Sequence, residues 1–177
     1  MAYAIRLYFD VKLEAAFIGV RTALVRAGVA PVLEALGDRP HVSVVAAEQL
    51  DLEFCTRMLE RVAREQRKFD VAFAAFGSFP GDQGVVYLAP TPSESLLELH
   101  REVYRRLTDT GLELHEHFRP RGWVPHVTVG FRLARHEVAL AICRLHSEFE
   151  PIAGKFGGIG LVEYYPITEI ATFPFIA

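Results

Sequence analysis

Pro40-His41-Val42-Ser43-Val44 and Pro125-His126-Val127-Thr128-Val129 are one pattern written twice, 85 residues apart (41 to 126) in a chain of 177. An interval of about half the chain predicts an internal duplication. Both pentapeptides are rich in β-branched residues and stand between helical patterns, so each reads as a short strand. On a strand, residues i and i+2 share a face about 6.5–7 Å apart, which puts His41 beside Ser43 and His126 beside Thr128. Val42, Val44, Val127 and Val129 point the other way and can pack beneath helices, so the histidines are not needed in the core.

Outward from the first copy, Tyr3 to Asp10 alternates. Ile5, Leu7 and Phe9 lie on one side and Arg6, Tyr8 and Asp10 on the other, the period of a strand with one wet face. Leu13, Phe17, Val20 and Leu24 recur at helical spacing, and Gly28 stops that helix. After the first motif, a helix from about Leu50 to Arg67 carries Leu52, Cys55, Leu59 and Val62 on one stripe. Phe69 to Phe76 and Val85 to Ala89 read as paired or neighbouring strands on either side of the turn-rich Gly77-Ser78-Phe79-Pro80-Gly81-Asp82.

Thr91-Pro92-Ser93-Glu94 predicts a helix start with Thr91 as cap, Pro92 first in the helix and Glu94 reaching back. Leu96, His100, Val103 and Leu107 form its buried face, and Gly111 ends it. The second motif continues as a strand from His126 to Phe131, followed by a helix from about Arg135 to Phe149. Two strands, about Ile152 to Tyr164 and Ile167 to Phe175, close the chain, the first bent or bulged by Gly154, Gly157 and Gly158. The order is β-α-β-α-β twice with one strand added. The expected class is α+β, a single domain of two pseudo-symmetric lobes, about 1–82 and 83–177. Tyr87, in Val86-Tyr87-Leu88, is expected to match Tyr8, in Leu7-Tyr8-Phe9.

Composition narrows the function classes. Hydrophobic residues at 51% and charged residues at 23% exclude disordered, collagen-like and coiled-coil chains. Nineteen Lys+Arg against 22 Asp+Glu leaves a net charge of −3, so no global cationic field is available to hold a long duplex or a membrane surface. Cys55 and Cys143 sit in apolar helical patterns without metal-ligand spacing and read as reduced core thiols. The start lacks the apolar block of a signal peptide, and no stretch reaches the ~18 apolar residues of a membrane span. A cytoplasmic monomer is expected.

Two imidazole and hydroxyl pairs meeting near a pseudo-twofold axis suit phosphodiester chemistry without a metal. One neutral imidazole takes a proton from the attacking oxygen, while the other, protonated, gives one to the leaving oxygen. An ordinary pKa near 6.5 makes both forms available near neutrality. Hydroxyl donors at the phosphoryl oxygens stabilise the charge that builds up there.

At these residues the chain resembles the two-histidine (2H) phosphoesterase superfamily, whose members include 2′-5′ RNA ligase-like proteins and 2′,3′-cyclic nucleotide phosphodiesterases. Its mark is a pair of His-x-Ser/Thr-x motifs, here His41-Val42-Ser43-Val44 and His126-Val127-Thr128-Val129. The Phe-rich Phe76-Gly77-Ser78-Phe79-Pro80 and the Pro-His-x-Thr of the second motif add to the likeness. The resemblance implies a bilobal α+β fold with two antiparallel sheets forming a V-shaped cleft and helices outside. It further implies catalytic His41 and His126, phosphate-binding Ser43 and Thr128, and neither metal nor cofactor. Ser43 stands where many members carry Thr; the hydroxyl is kept and the stiffening methyl is lost.

Other residues are candidates for the substrate. Tyr8 and Tyr87 lie on the polar faces of their strands and either line the cleft or fill a sheet edge. Arg6 shares the face of Tyr8 and either contacts phosphate or stays exposed. Trp123 and Arg121 lie on a polar loop before the second motif, Trp123 as a nucleobase platform or a structural ring. Arg132 continues the face of His126 and Thr128 past Gly130 and is a phosphate contact.

His115-Glu116-His117 lacks the further ligands a metal needs, and His100, His136 and His146 read as structural or exposed. The expected function is opening 2′,3′-cyclic phosphates, or cleaving or joining 2′-5′ linkages, on a small nucleotide or RNA end. The alternative, a non-catalytic nucleotide or RNA-end binding module of the same fold, would not need two titrating groups. A metal-dependent hydrolase using the many histidines would lose activity in chelator.

Overall fold

The computed structural model describes residues 2–164 and 166–177. In chain order these form β1 (Ala2–Phe9), α1 (Val11–Arg26), a four-residue α2 (Val32–Ala35), β2 (Val42–Ala47), α3 (Leu52–Glu65) and β3 (Phe69–Ser78). There follow β4 (Val86–Pro90), α4 (Glu94–Thr108), a 3-10 turn (Glu116–Phe118), β5 (Val127–Gly130), α5 (Arg135–Glu148), β6 (Ile152–Tyr164) and β7 (Thr168–Pro174). The fold is α+β, and every pairing between these strands is antiparallel. Among the described residues no helix is long and apolar enough to cross a membrane.

The strand order β2-β1-β6-β3-β4-β5, with β7 on β6, reads the same from either end once the duplication is applied. β2 and β5 carry the two motifs, β1 and β4 lie next to them, and the third strand of each half crosses to pair with the first strand of the other. The long β6 makes this possible. Its first residues, Ile152 to Phe156, pair with β3, and the stretch from Phe156 to Tyr164 pairs with β1. A division near residue 82 therefore describes the sequence repeat, while each lobe of the sheet borrows a strand across it.

The seam between the lobes holds the centre of the core. Phe9 of β1, Phe17 of α1 and Phe73 of β3 meet at ring distances of 4.8 to 5.7 Å, and Phe156 of β6 lies 5.2 Å from Phe9. Asp10 fixes α1 on this seam: one carboxylate oxygen accepts from the Leu13 N–H at 2.8 Å and the other from the Lys155 N–H at 2.7 Å. The helix comes so close that a Cβ at Gly154 would stand 2.7 Å from the Leu13 Cβ. Gly157 supplies the expected bulge, because Tyr8 pairs with Gly158 and Phe9 with Phe156. Outside the sheet, α3 packs on β6 and β7, α4 on β2, α5 on β3 and β4, and α1 reaches both β6 and β5.

Four expectations are corrected. The second face of β1 is not wet: Arg6 and Tyr8 are as buried as Ile5 and Leu7, because the segment around Asp38 and the end of β6 close over them. The cap of α4 is Ser93, whose hydroxyl accepts from the Leu96 N–H, and Thr91 instead donates its N–H to the Ala72 carbonyl, which ties residue 91 to β3 ahead of the helix. Cys55 is buried, whereas Cys143 lies on the outer side of α5. β5 ends at Gly130, and Arg132 has a φ of 54° in the turn clamped by Gln83 and Gly84, so the strand alternation that placed Arg132 beside Thr128 does not extend that far.

Candidate active site

Each histidine stands one residue ahead of its strand, where backbone pairing has not begun, and each is held in the same way. The His41 Nδ1–H donates to the Arg39 carbonyl at 2.8 Å, and the His126 Nδ1–H donates to the Val124 carbonyl at 2.8 Å. A carbonyl only accepts, so Nδ1 carries the proton in both rings and Nε2 of the neutral imidazole is left as the basic nitrogen. The repeat seen in sequence thus reappears as a repeated tautomer.

β2 and β5 are the two ends of the strand order rather than paired neighbours, and side chains from elsewhere bring them together. Arg21, buried on α1, donates through Nη1 to the Asp38 carbonyl and through Nη2 to the Thr128 carbonyl at 2.9 Å. One guanidinium therefore touches the approach to the first motif and the hydroxyl residue of the second. Trp123, three residues before His126, donates its indole N–H to the Ser43 carbonyl at 3.1 Å, and its ring lies flat on His100 at 3.8 Å. That role occupies one face of the ring and its polar atom, so Trp123 serves as a brace between the motifs, the structural one of its two readings, and a nucleobase would have only the other face.

The surroundings of the two histidines differ. Around His41 lie two buried guanidiniums, Arg6 and Arg21, and one carboxylate. Asp38 pairs with Arg6 at 2.9 Å and stands 3.7 Å from the His41 Nδ1. Burial and then the Arg6 charge push His41 well below its ordinary pKa of 6.5, with Arg21 and His126 adding to the effect and the Arg39 carbonyl opposing it.

His126 instead sits among rings, with Phe79 edge-on at 4.8 Å and Tyr87 at 5.5 Å, while Phe79 and Tyr87 stack at 4.5 Å. Burial lowers its pKa, against the pull of the Val124 carbonyl. Phe79 is visible in sequence through the family likeness alone; its place beside His126 follows from the turn after β3, which sequence periodicity does not reach.

The register revises the expected match between Tyr8 and Tyr87. Arg6 pairs across from Ser43, and Tyr87 pairs across from Thr128, so Arg6 is the positional counterpart of Tyr87. Tyr8 lies two residues further along β1. It is buried, a Cβ at Gly160 would stand 2.7 Å from its ring, and the Arg39 guanidinium lies 4.4 Å over its centre. Burial pushes the Tyr8 phenol up to about 12. Arg132 is exposed, its guanidinium 5.3 Å from the Phe131 ring centre. Arg6, Arg21, Asp38 and Tyr164 complete the site. Of these, Arg21 carries a legible signal: at positions 13, 17, 21 and 24 it belongs to the buried stripe of α1, where an arginine among apolar residues marks a paired cation.

The arrangement is that of a duplicated α+β protein with two histidine and hydroxyl pairs held at the junction of its lobes. A family described as the 2′-5′ RNA ligase superfamily matches residues 19–166, and the chain belongs to it. Solved structures share the whole fold. TT0787 of Thermus thermophilus is 18% identical with a TM-score of 0.65, covering 99% of this chain and 98% of that one. E. coli LigT in apo form is 15% identical with a TM-score of 0.64 over the same shares, and LigT complexed with 3′-AMP is 15% identical with a TM-score of 0.65 over 99% and 98%. No curated protein matches the chain.

Proposed function

We propose that this protein is a metal-independent phosphoesterase acting on 2′,3′-cyclic phosphates or 2′-5′ phosphodiester linkages of small RNA ends or nucleotides. His41 and His126 move the protons, and Ser43 and Thr128 hold the phosphoryl oxygens. The observation that carries the reading is the shared restraint on the two rings. Both spend Nδ1–H on a backbone carbonyl two residues back, and both keep Nε2 for chemistry.

The unequal surroundings of the two histidines support a division of roles. Arg6 and Arg21 favour a neutral His41, which suits it to accept the proton of an attacking water. His126, with aromatic neighbours and no such pair of guanidiniums, holds the proton that the leaving ribose oxygen needs. A phosphate anion between them stabilises that proton. Attack by water at phosphorus forms one P–O bond and breaks the bond to one ribose oxygen, giving a linear monoester. Because the two sides differ, a single regioisomer is expected. E. coli LigT structures with 3′-AMP, NADP+, ATP and phosphate support a nucleotide or phosphate ligand for the class.

The test is purified protein assayed on a panel of 2′,3′-cyclic mononucleotides and 2′-5′ dinucleotides with EDTA throughout. Turnover to one monoester isomer is expected. No turnover of any member, turnover abolished by EDTA, or an equal mixture of isomers would overturn the reading.

A further inference from the structure

From His117 to His136 the chain carries four arginines, Arg119, Arg121, Arg132 and Arg135, and no carboxylate. The whole chain has a net charge of −3, so the remaining residues carry −7 and positive charge is gathered around the second motif. Two of the four arginines belong to a tight turn. The Arg119 carbonyl accepts from the Gly122 N–H at 2.8 Å and from the Trp123 N–H at 2.9 Å, and Pro120 presets the first corner. The loop is tied at two points to the strand of the first motif: the His115 N–H donates to the Ala46 carbonyl at 3.3 Å, and the Trp123 indole donates to the Ser43 carbonyl at 3.1 Å. The segment thus runs along β2 and passes beside Ser43 before it reaches His126, which sets the turn next to the junction of the motifs.

Arg119 and Arg121 are exposed on this turn, and among the described residues neither guanidinium has a carboxylate partner. Arg57, Arg64, Arg105 and Arg144, exposed on the outer helices, are each neutralised by a carboxylate on their own helix. Guanidiniums free of carboxylates on a fixed backbone suit phosphates, which they meet with charge and forked N–H donors. A cyclic mononucleotide has one phosphate, and it belongs between the histidines. Cations a few residues away match the further phosphates of a strand, while the negative remainder of the chain offers a duplex no broad cationic face.

We propose that the turn from Arg119 to Gly122 is a binding surface for single-stranded RNA, with Arg119 and Arg121 contacting phosphates of the strand that leads to the reacting end. The proposal rests on the reading of the junction as a phosphoesterase site, and it makes an RNA end, ahead of a mononucleotide, the preferred substrate.

The experiment compares wild type, Arg119→Gln/Arg121→Gln, Arg119→Lys/Arg121→Lys, and a charge control, Arg61→Gln/Arg101→Gln, which removes two exposed arginines from α3 and α4. Fluorescence anisotropy gives the affinity for a labelled RNA hexamer ending in a 3′-phosphate between about 50 and 200 mM salt, where phosphate contacts register strongly. In parallel, kcat/KM is measured on a hexamer ending in a 2′,3′-cyclic phosphate and on 2′,3′-cyclic AMP. Wild type should favour the hexamer over cyclic AMP. The glutamine pair should bind the hexamer about threefold to thirtyfold more weakly, the size of two exposed ion contacts, and should lose most of that preference. Its salt slope should be shallower by about 1.4, the share of two single-strand phosphate contacts. The lysine pair should keep most of the affinity, since a point charge also serves phosphate, and the control should match wild type.

An unchanged slope in the glutamine pair, or an equal loss in the control, would overturn the proposal. Tighter binding of poly-glutamate than of the hexamer would overturn it in favour of a protein partner. If the glutamine pair does not fold, a wild-type affinity that ignores salt over this range is enough to reject it. Hexamer binding with the expected slopes and no turnover of either substrate defeats the proposed activity and leaves the RNA surface. Turnover of both substrates without preference for the hexamer defeats the surface and leaves the activity.

Discussion

Arg21 of α1 donates to the backbone carbonyl of Thr128 at 2.9 Å, across 107 residues of sequence, while its other terminal nitrogen donates to the Asp38 carbonyl. The relationship between the two motifs thus depends on a side chain belonging to neither. Arg21→Met keeps the apolar stem but strands two carbonyls at the junction. A loss of about 2–4 kcal/mol is expected from two charge-assisted hydrogen bonds. Thermal or urea denaturation measures it. Arg21→Lys should recover little, because an ammonium lacks the two-pronged reach of a guanidinium. Stability within about 0.5 kcal/mol of wild type, a size usual for a surface change, would remove Arg21 as the joint.

Acid should loosen the brace beneath the first motif. His100 is buried against Trp123, and burial pushes it to about 4 from an ordinary 6.5. Between those values the unfolded chain binds more protons than the folded one, so stability falls as pH drops from 6.5 toward 4. The contribution is up to about 3 kcal/mol from this group. His41 and His126, both lowered, act in the same direction. Urea midpoints at about pH 7 and about pH 4.5, on either side of the reference histidine value, should therefore separate clearly in wild type and less in His100→Gln. Equal separation in the two proteins would show that His100 titrates normally.

The pH dependence of turnover follows from the same shifts. The active free enzyme needs one neutral and one protonated imidazole. Both pKa values lie below 6.5, so kcat/KM should be bell-shaped with its alkaline limb falling already below about pH 6.5, the reference histidine value. Bound phosphate anion favours the protonated form, so the kcat profile should extend to higher pH than kcat/KM. A kcat/KM flat from about pH 5 to 9 around that reference value would show that these imidazoles are not acid and base.

Capping gives a simple check on local structure. Ser93→Ala should cost about 1 kcal/mol, since Ser93 caps α4, and Thr91→Ala much less, since the structural contact of residue 91 is made by its backbone N–H. Chemical denaturation of the two variants compares them, and the reverse order would reinstate Thr91 as the cap.

The strands, the helices and the duplication were legible because apolar periodicity and a repeated pentapeptide are local. What escaped the sequence depends on pairing at a distance. The exchange of β3 and β6 between lobes follows from where a long strand runs, and the counterpart of Tyr87 is fixed by the partners of Ser43 and Thr128, which moved it from Tyr8 to Arg6. Arg6 reads as solvent-facing because a charged residue on an alternating strand usually is. Only the fold brings Asp38 and Tyr164 over it. Trp123 likewise gains its brace from a carbonyl 80 residues away.

The central claim is that His41 and His126 work as one acid and base pair. Its most direct measurement is kcat/KM on 2′,3′-cyclic AMP, in EDTA, for His41→Ala, His126→Ala and the double variant, each checked for native circular dichroism. Each single change should lower turnover by about 10²-fold or more, the contribution of a positioned acid or base. The double variant should fall little further, because the pair acts as a unit. Near-wild-type turnover in either single variant, or losses that simply multiply in the double, would contradict the account.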